Sequence, residues 1–199
     1  KKDLPESPNS NSDIEYISNY YSHPLWIMEK WIEKWSYKET INLAIWNNKS
    51  PKIWFRINSL KYSSTKFKNY LKKNNIDFLE FSSSKNFISP IDRINDILDS
   101  KVFKDGMLSV QNPTSGLIVH LLDPQPGDVI IDGCSAPGGK STYLAEIMKN
   151  NGKILAYDIS KSRLDKLKDS IKRLSIDIID IELKDLTNDS LPKSKKILL

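Results

Sequence analysis

The sequence predicts an α/β protein in two parts: an open sheet of mostly parallel strands in its carboxyl-terminal half, preceded by a smaller α+β unit. Three observations carry this. Strand and helix patterns alternate from about residue 129 onward, the signature of parallel strands joined by crossover helices. A glycine loop, "GCSAPGGK" over residues 133–140, ends the first of those strands and opens a helix. The basic charge is concentrated in residues 51–106, which carry 11 basic and 6 acidic groups, against 6 and 7 in residues 1–50 and 13 and 12 in residues 107–199.

The elements follow in order. Residues 1–22 are polar and rich in Ser, Asn and Pro, and read as a flexible lead-in. Residues 23–50 read as two linking helices. Leu25, Met28, Trp31, Ile32 and Trp35 recur at helical spacing, Pro24 suits a first helical position, and a second helix is expected over about Tyr37–Trp46. The four tryptophans of this region are expected to pack into a core, with a base-stacking platform as the alternative. In "SPKIWFRINSL" the alternation of Ile53, Phe55 and Ile57 predicts a strand, and "SSTKFKNYLKKNNI" a helix capped by Ser or Thr. Shorter strands are expected near Asp77–Phe81 and Phe103–Val110. Residues 51–106 are therefore a small basic α/β unit, a type of module that commonly binds RNA. Arg56, Lys61, Lys66, Lys68, Lys72 and Lys73 are its candidate phosphate contacts, the alternative being solvated surface charge.

From residue 107 the reading is helix "TSGLIVHLL", turn "DPQPG", strand "DVIID", glycine loop, helix "KSTYLAEIMKN", strand "KILAYD", helix "SKSRLDKLKDSIKRL", strand "IDIIDIEL" and the opening of a further strand at "KKILL". His120 in the first helix and His23 near the chain's start are expected to be packed structural residues. The single cysteine, Cys134, permits no internal disulfide and suits a reducing compartment, the cytoplasm. No apolar run is long enough for a membrane span, and no metal cluster built from cysteines is possible.

The loop resembles a phosphate-binding loop but misses its spacing. That pattern needs four residues between the first Gly and the Gly-Lys pair, and here five separate Gly133 from Gly139. Pro137 also removes an amide from a nest that works by presenting amides. A phosphate-cleaving enzyme is thus disfavoured. The position, at the carboxyl end of a parallel strand, still favours a ligand. Gly138 and Gly139 allow close approach of backbone. Asp158, at the end of the next strand, can accept hydrogen bonds from ribose hydroxyls, and Asp185, just past the third strand, could reach an adenine amine or the sugar. Two acids and a glycine loop without phosphate chemistry suit an adenosyl ligand such as S-adenosylmethionine. A tight turn with strand-end caps is the structural alternative.

The stretches "HPLWIMEKWIE", "RINSLK", "GMLSVQNPTSGLIVHLLDPQPGDVIIDGCSAPGGKSTYLAE" and "GKILAYDISKSRLDKLKDSIKRL" resemble the RNA cytosine-5 methyltransferases of the RsmB/NOL1/NOP2/Sun (Fmu) family, over about residues 20–199. Where that family usually has "CAAPGGKT", this chain has "CSAPGGKS". The resemblance implies an incomplete Rossmann-like S-adenosylmethionine-dependent methyltransferase sheet over residues 107–199, preceded by an RNA-recognition-like subdomain over 51–106. It implies that Cys134, Ser135, Ala136, Pro137, Gly138, Gly139 and Lys140 surround S-adenosylmethionine. It further implies that Asp158 holds the ribose, that Asp185 lies near the adenine, and that Arg163 supports a helix start.

The family's reaction needs one cysteine thiolate to attack C6 of cytosine and a second, in a Pro-Cys motif, to assist release. The target base must be extruded from its stack. Both cysteines would lie beyond the third strand, and Cys134 matches neither. The expected function is therefore a fragment of an RNA cytosine-C5 methyltransferase, inactive by itself and with no catalytic residue of its own. Its partner would be RNA, ribosomal ahead of transfer, and possibly the missing carboxyl-terminal half of the domain. The uncovered sheet edge would leave residues 107–199 marginal alone. A non-catalytic RNA-binding or cofactor-binding module is the alternative.

Overall fold

Helix α1 (Ile14–Tyr20) is capped by the Asp13 carboxylate, which accepts from the Glu15 amide. It occupies part of the expected lead-in over residues 1–22, so from Ile14 onward that stretch is folded, with Ile17 fully buried. The computed structural model describes residues 13–199, and the rest of the expected lead-in lies outside the described residues. The chain divides after Pro51 into two units.

In the first unit, α2 (Leu25–Trp35) and α3 (Tyr37–Asn47) join α1 around Ile17, Met28 and Ala44. Pro24 is the N-cap residue of α2, one position earlier than its expected place in the first turn; its extended backbone leads into the helix without a side-chain cap. Ser36 serves both helices. Its amide closes α2 on the Ile32 carbonyl, and its hydroxyl accepts from the Glu39 amide to open α3. Only one of the four tryptophans joins this small core, contrary to expectation: Trp31 is partly buried, beside the His23 ring. Trp26 and Trp46 are 59% and 68% exposed, and Trp35 is exposed as well. Trp26 and Trp35 are nine positions apart, which places them on opposite sides of α2, so no single core could take both. Lys30, Lys34 and Lys49 stand over the rings of Trp26, Trp35 and Trp46 at 5.5, 5.0 and 5.3 Å from the centroids.

The second unit holds two four-stranded sheets. The first contains β1 (Phe55–Ile57), β2 (Phe78–Phe81), β3 (Ser84–Pro90) and β4 (Leu108–Val110), in the order β2-β3-β1-β4 and antiparallel throughout. Between them run α4 (Ser64–Lys73), α5 (Ile94–Asp99) and α6 (Lys101–Lys104). This is a β-α-β-β-α-β, ferredoxin-like arrangement. The Ser63 hydroxyl caps α4 by accepting from the Lys66 amide.

Strand β3 has no counterpart among the sequence expectations, because "SKNFISP" offers only Phe87 and Ile88 as apolar residues and they are adjacent, not alternating. It is a strand because β1 and β2 pair with it on both sides. The strand expected over Phe103–Val110 begins only at Leu108; Phe103 belongs to α6 and packs its ring edge-on against Phe55.

This sheet is buried on both faces. Phe55, Ile57, Ile88 and Leu108 point to one side, under Phe67 and Leu71 of α4 and Ile97 of α5. Phe87, with Trp54 and Phe81 beside it, points to the other and joins a core shared with Val119, Ile130 and Tyr143 of the second sheet's layer. The contact is close: a Cβ on Gly116 would lie 2.5 Å from the Phe87 ring.

The second sheet is parallel. Its strands are β5 (Val129–Asp132), β6 (Lys153–Asp158), β7 (Ile179–Leu183) and β8 (Lys196–Leu198), in the order β7-β6-β5-β8. Helix α7 (Pro113–Leu121) precedes it, α8 (Gly139–Ile147) links β5 to β6, and α9 (Lys161–Leu174) links β6 to β7. The winding reverses between β5 and β8, so the carboxyl end of β5 is a topological switch point, where open α/β sheets bind ligands. His120, expected to be packed, is exposed on α7, and its Nε2 lies 2.8 Å from the Tyr143 hydroxyl.

Four groups fasten the small sheet to the parallel one. The Asn58 amide donates to the carbonyls of Gly106 (2.9 Å) and Leu174 (3.0 Å). Lys61 Nζ donates to those of Asp105 and Arg173, both at 3.0 Å. Arg173 Nη1 donates to those of Phe103 (2.7 Å) and Leu108 (2.8 Å). The fourth is Arg56.

Candidate functional site

The loop after β5 is built from its backbone outward. Both the amide and the hydroxyl of Ser135 donate to the Tyr157 carbonyl, at 3.0 and 2.9 Å, which ties the loop to β6. The Ala136 amide donates to Asp158 Oδ2 at 3.2 Å. The peptide between Ala136 and Pro137 is cis. Gly138 has φ +110, a conformation that side chains rarely adopt, and a Cβ there would meet Leu167 of α9 at 2.5 Å. Gly139 then begins α8, whose first bond runs from the Thr142 amide to the Gly138 carbonyl at 2.9 Å.

Two acids sit beneath the loop. Asp132, fully buried at the end of β5, accepts from the Ser141 hydroxyl at 2.6 Å and the Cys134 amide at 3.4 Å. Burial pushes its carboxyl above the ordinary range, against the pull of those two donors and of Lys140. Asp158 is 4% exposed. Its Oδ1 accepts from the Ser160 amide at 3.0 Å, and its Oδ2 faces Ala136. A carboxylate has about four lone-pair sites, so capacity remains for hydroxyl donors. Arg163 lies beside it, at 3.8 Å from Oδ2, and donates to the Ala136 carbonyl at 2.5 Å. The expected helix-start support is thus a loop clamp: Arg163 sits in the first turn of α9 but reaches across to hold the turn before Pro137.

The structure brings residues 134–140 and Asp158 together at the switch point. Cys134 and Pro137 are exposed, Gly139 and Lys140 are half-buried, and Ser135, Ala136 and Gly138 are buried beneath them. Asp185 stands on the exposed loop after β7. Its Oδ1 accepts from the hydroxyl (2.7 Å) and backbone amide (3.0 Å) of Thr187, and its Oδ2 from the side-chain Nδ2 of Asn188 at 3.0 Å. Those bonds, the Thr187 hydroxyl foremost, hold its carboxyl below the ordinary range. Over Gly133 lie Leu186 and Leu199, whose side chains a Cβ there would meet at 2.5 and 2.7 Å. Among the described residues no three His, Cys, Asp or Glu gather as a metal site, and no helix is long and apolar enough to cross a membrane.

The candidate phosphate contacts divide. Lys66, Lys72 and Lys73 are exposed on α4. Lys68 is paired with Glu80 at 2.5 Å, and Lys61 is spent on the two carbonyls of the sheet junction. Arg56 is a correction: it is fully buried and cannot meet a phosphate. Alternation along β1 points it away from Phe55 and Ile57, as expected, but that side faces α8 and not water. Its partner Glu146 is also fully buried, with Arg56 Nη2 at 2.8 Å from Oε1. Burial pushes the Glu146 carboxyl up, and the guanidinium pulls it back. Glu146, Thr142 and Gln111 had no part in the expectations; the only signal was a charged residue inside the apolar run "TYLAEIM".

A parallel sheet in this order, a glycine loop after the strand at the switch point and an acid at the tip of the next strand define the Rossmann-like methyltransferase class, here with a ferredoxin-like unit in front. The comparisons agree. Residues 119–199 match the family model described as 16S rRNA methyltransferase RsmB/F, and residues 23–88 match the ferredoxin-like domain of Methyltr_RsmF/B-like proteins. Both matches are to models of RsmB/F-type proteins, one over each part of the chain.

The chain is 31% identical to the ribosomal RNA small subunit methyltransferase B of Yersinia enterocolitica over 165 residues, 79% of this chain and 36% of that protein. A methyltransferase homolog protein from Pyrococcus horikoshii superposes with a TM-score of 0.76 at 25% identity, covering 85% of this chain and 55% of the other. NSun6 from Pyrococcus horikoshii, solved with SFG, shares the fold at 21% identity and a TM-score of 0.77, covering 88% and 70%. The chain spans about two fifths of the length of the curated relatives it matches.

Proposed function

We propose that these residues are part of an S-adenosylmethionine-dependent RNA cytosine-C5 methyltransferase of the cytoplasm, with small-subunit ribosomal RNA as its substrate. Residues 107–199 hold the methyl donor, and residues 51–106, with 23–50 leading into them, face the RNA.

One observation carries the reading. Asp158, at the tip of β6, is buried, anchors the loop through the Ala136 amide and keeps lone pairs free. That suits a vicinal diol and not a phosphate, and Pro137 withdraws the amide that a phosphate nest would need. Asp158 takes the ribose hydroxyls. Residues 134–140 line the ligand, and the first amides of α8, which have no acceptor within the helix, face its carboxylate end. Asp185 borders the adenine side. When bound, the donor supplies an electrophilic methyl group.

Methyl transfer to C5 also requires a thiolate that adds to C6. Cys134 does not fill that role. It lies in the donor loop, its amide directed at Asp132, and no base is bonded to it. On this reading none of the 199 residues supplies that thiolate, and the chain by itself transfers no methyl group. Exposed Lys66, Lys72 and Lys73 contact RNA phosphates. Both faces of the small sheet are covered, so bases do not stack on it.

The test is calorimetric titration with S-adenosylhomocysteine. The chain should bind it, and Asp158→Asn, which keeps an acceptor oxygen for the loop amides, should weaken binding at least tenfold in a chain that still unfolds cooperatively. Equal affinity in the variant would remove the ribose role, and 5-methylcytidine formed by this chain alone would overturn its inactivity.

A further inference from the structure

We infer that Arg56 is a positioning residue that sets the donor loop from the small sheet. Its guanidinium leaves β1 and ends inside the first turns of α8. Nη1 donates to the Gly139 carbonyl at 2.7 Å and to Gln111 Oε1 at 2.5 Å. Nη2 donates to Thr142 Oγ1 at 2.9 Å and Glu146 Oε1 at 2.8 Å. The guanidinium carbon lies 4.8 Å from the centre of the Tyr143 ring. Three of the four acceptors belong to α8, and the Gly139 carbonyl is in the first peptide of that helix.

Stability alone is a poor reason for such a group. A buried ion pair loses in desolvation about what it gains in attraction, and an apolar pair of the same volume often serves as well or better. A planar fork of donors fixes direction instead, since each N–H has one place to point. Its base is fixed too: β1 is hydrogen-bonded to β3 on one side and β4 on the other, with Arg56 opposite Phe87 and Ser109. The start of α8 is therefore referenced to the small sheet as well as to β5 and β6. Whatever displaces β1, RNA on the small subdomain included, is transmitted to Gly138 and Gly139. That consequence for ligand affinity rests on the adenosyl reading; the positioning itself does not.

The experiment compares the full 199-residue chain with Arg56→Met/Glu146→Leu, which removes both buried charges together, and with Arg56→Lys, which keeps the charge and loses the fork. Amide exchange is read without ligand at Ala136 in the loop, at Thr142 in the first turn of α8 and at Ile154 in β6, and S-adenosylhomocysteine affinity is measured alongside. In the double variant, exchange at Ala136 and Thr142 should rise at least fivefold while Ile154 is unchanged. Affinity should fall at least fivefold, with Arg56→Lys between wild type and the double variant. Loop exchange within fivefold of wild type in the folded double variant overturns the inference. If that variant does not fold, Arg56→Lys is read in its place, and exchange at Ala136 and Thr142 within twofold of wild type then overturns the inference. A wild-type chain that fails to bind S-adenosylhomocysteine refutes the adenosyl reading, and the exchange comparison still decides the positioning role.

Discussion

Asp132 and Asp158 are two buried carboxylates beneath one loop, and they are handled differently. Asp158 accepts from two backbone amides and has Arg163 beside it. Asp132 has a hydroxyl and one long amide contact, and its carboxyl is raised chiefly by burial. The consequence for pH follows from linkage. A carboxyl whose pKa is higher folded than unfolded binds its proton more readily in the folded state. Wild-type stability therefore gains, relative to Asp132→Asn, as pH falls from above the raised value toward 3.8, the ordinary value for Asp. Denaturant unfolding of both proteins between pH 8 and pH 4 checks it; a difference that does not vary with pH would contradict the raised value. The sequence announced Asp158 by its place at a strand end. It did not announce the burial of Arg56, because alternation tells which side of a strand a residue takes and not what lies on that side.

At the scale of elements, the junction between the small sheet and the parallel sheet depends on a turn. Gly106, between α6 and β4, has φ +76, and a Cβ there would lie 1.9 Å from the Arg173 carbonyl at the end of α9. Gly106→Ala combines backbone strain with a clash against main chain, and should cost about 3 kcal/mol in denaturant unfolding. An alanine variant within about 0.5 kcal/mol of wild type would mean that the turn can move away from α9. Ser63→Ala, which removes the cap of α4, should cost about 1 kcal/mol and leave the donor loop untouched. The parallel strands and their helices were legible because each has its own periodicity. Strand β3 was not, since its serines and Pro90 are tolerated only because neighbouring strands supply its pairing.

At the scale of the molecule, the basic excess of residues 51–106 is only partly a surface property. Lys61 and Arg56 are consumed by the junction and Lys68 by Glu80, leaving Lys66, Lys72 and Lys73 as free cations of α4 among the candidates. RNA binding by the chain should weaken with salt. Alanine at Lys66, Lys72 or Lys73 should each reduce the slope of log affinity against log salt by about 1 where that lysine meets a phosphate. Lys61→Ala should leave the slope unchanged. A reduced slope for Lys61→Ala, or no change for all three α4 lysines, would move the RNA surface elsewhere.

The sequence by itself determined the order of the parallel sheet's elements, the place of the glycine loop after the first parallel strand and the acid at the end of the next. Those depend on local periodicity, on loop spacing and on the absence of an amide at Pro137. The tertiary structure alone decided that the small sheet has no free face, that Arg56 holds α8, and that Arg163 clamps the loop. Each of these needs residues far apart in the chain to meet. Arg56 and Glu146 are 90 residues apart, and their pairing exists only because two sheets close over them.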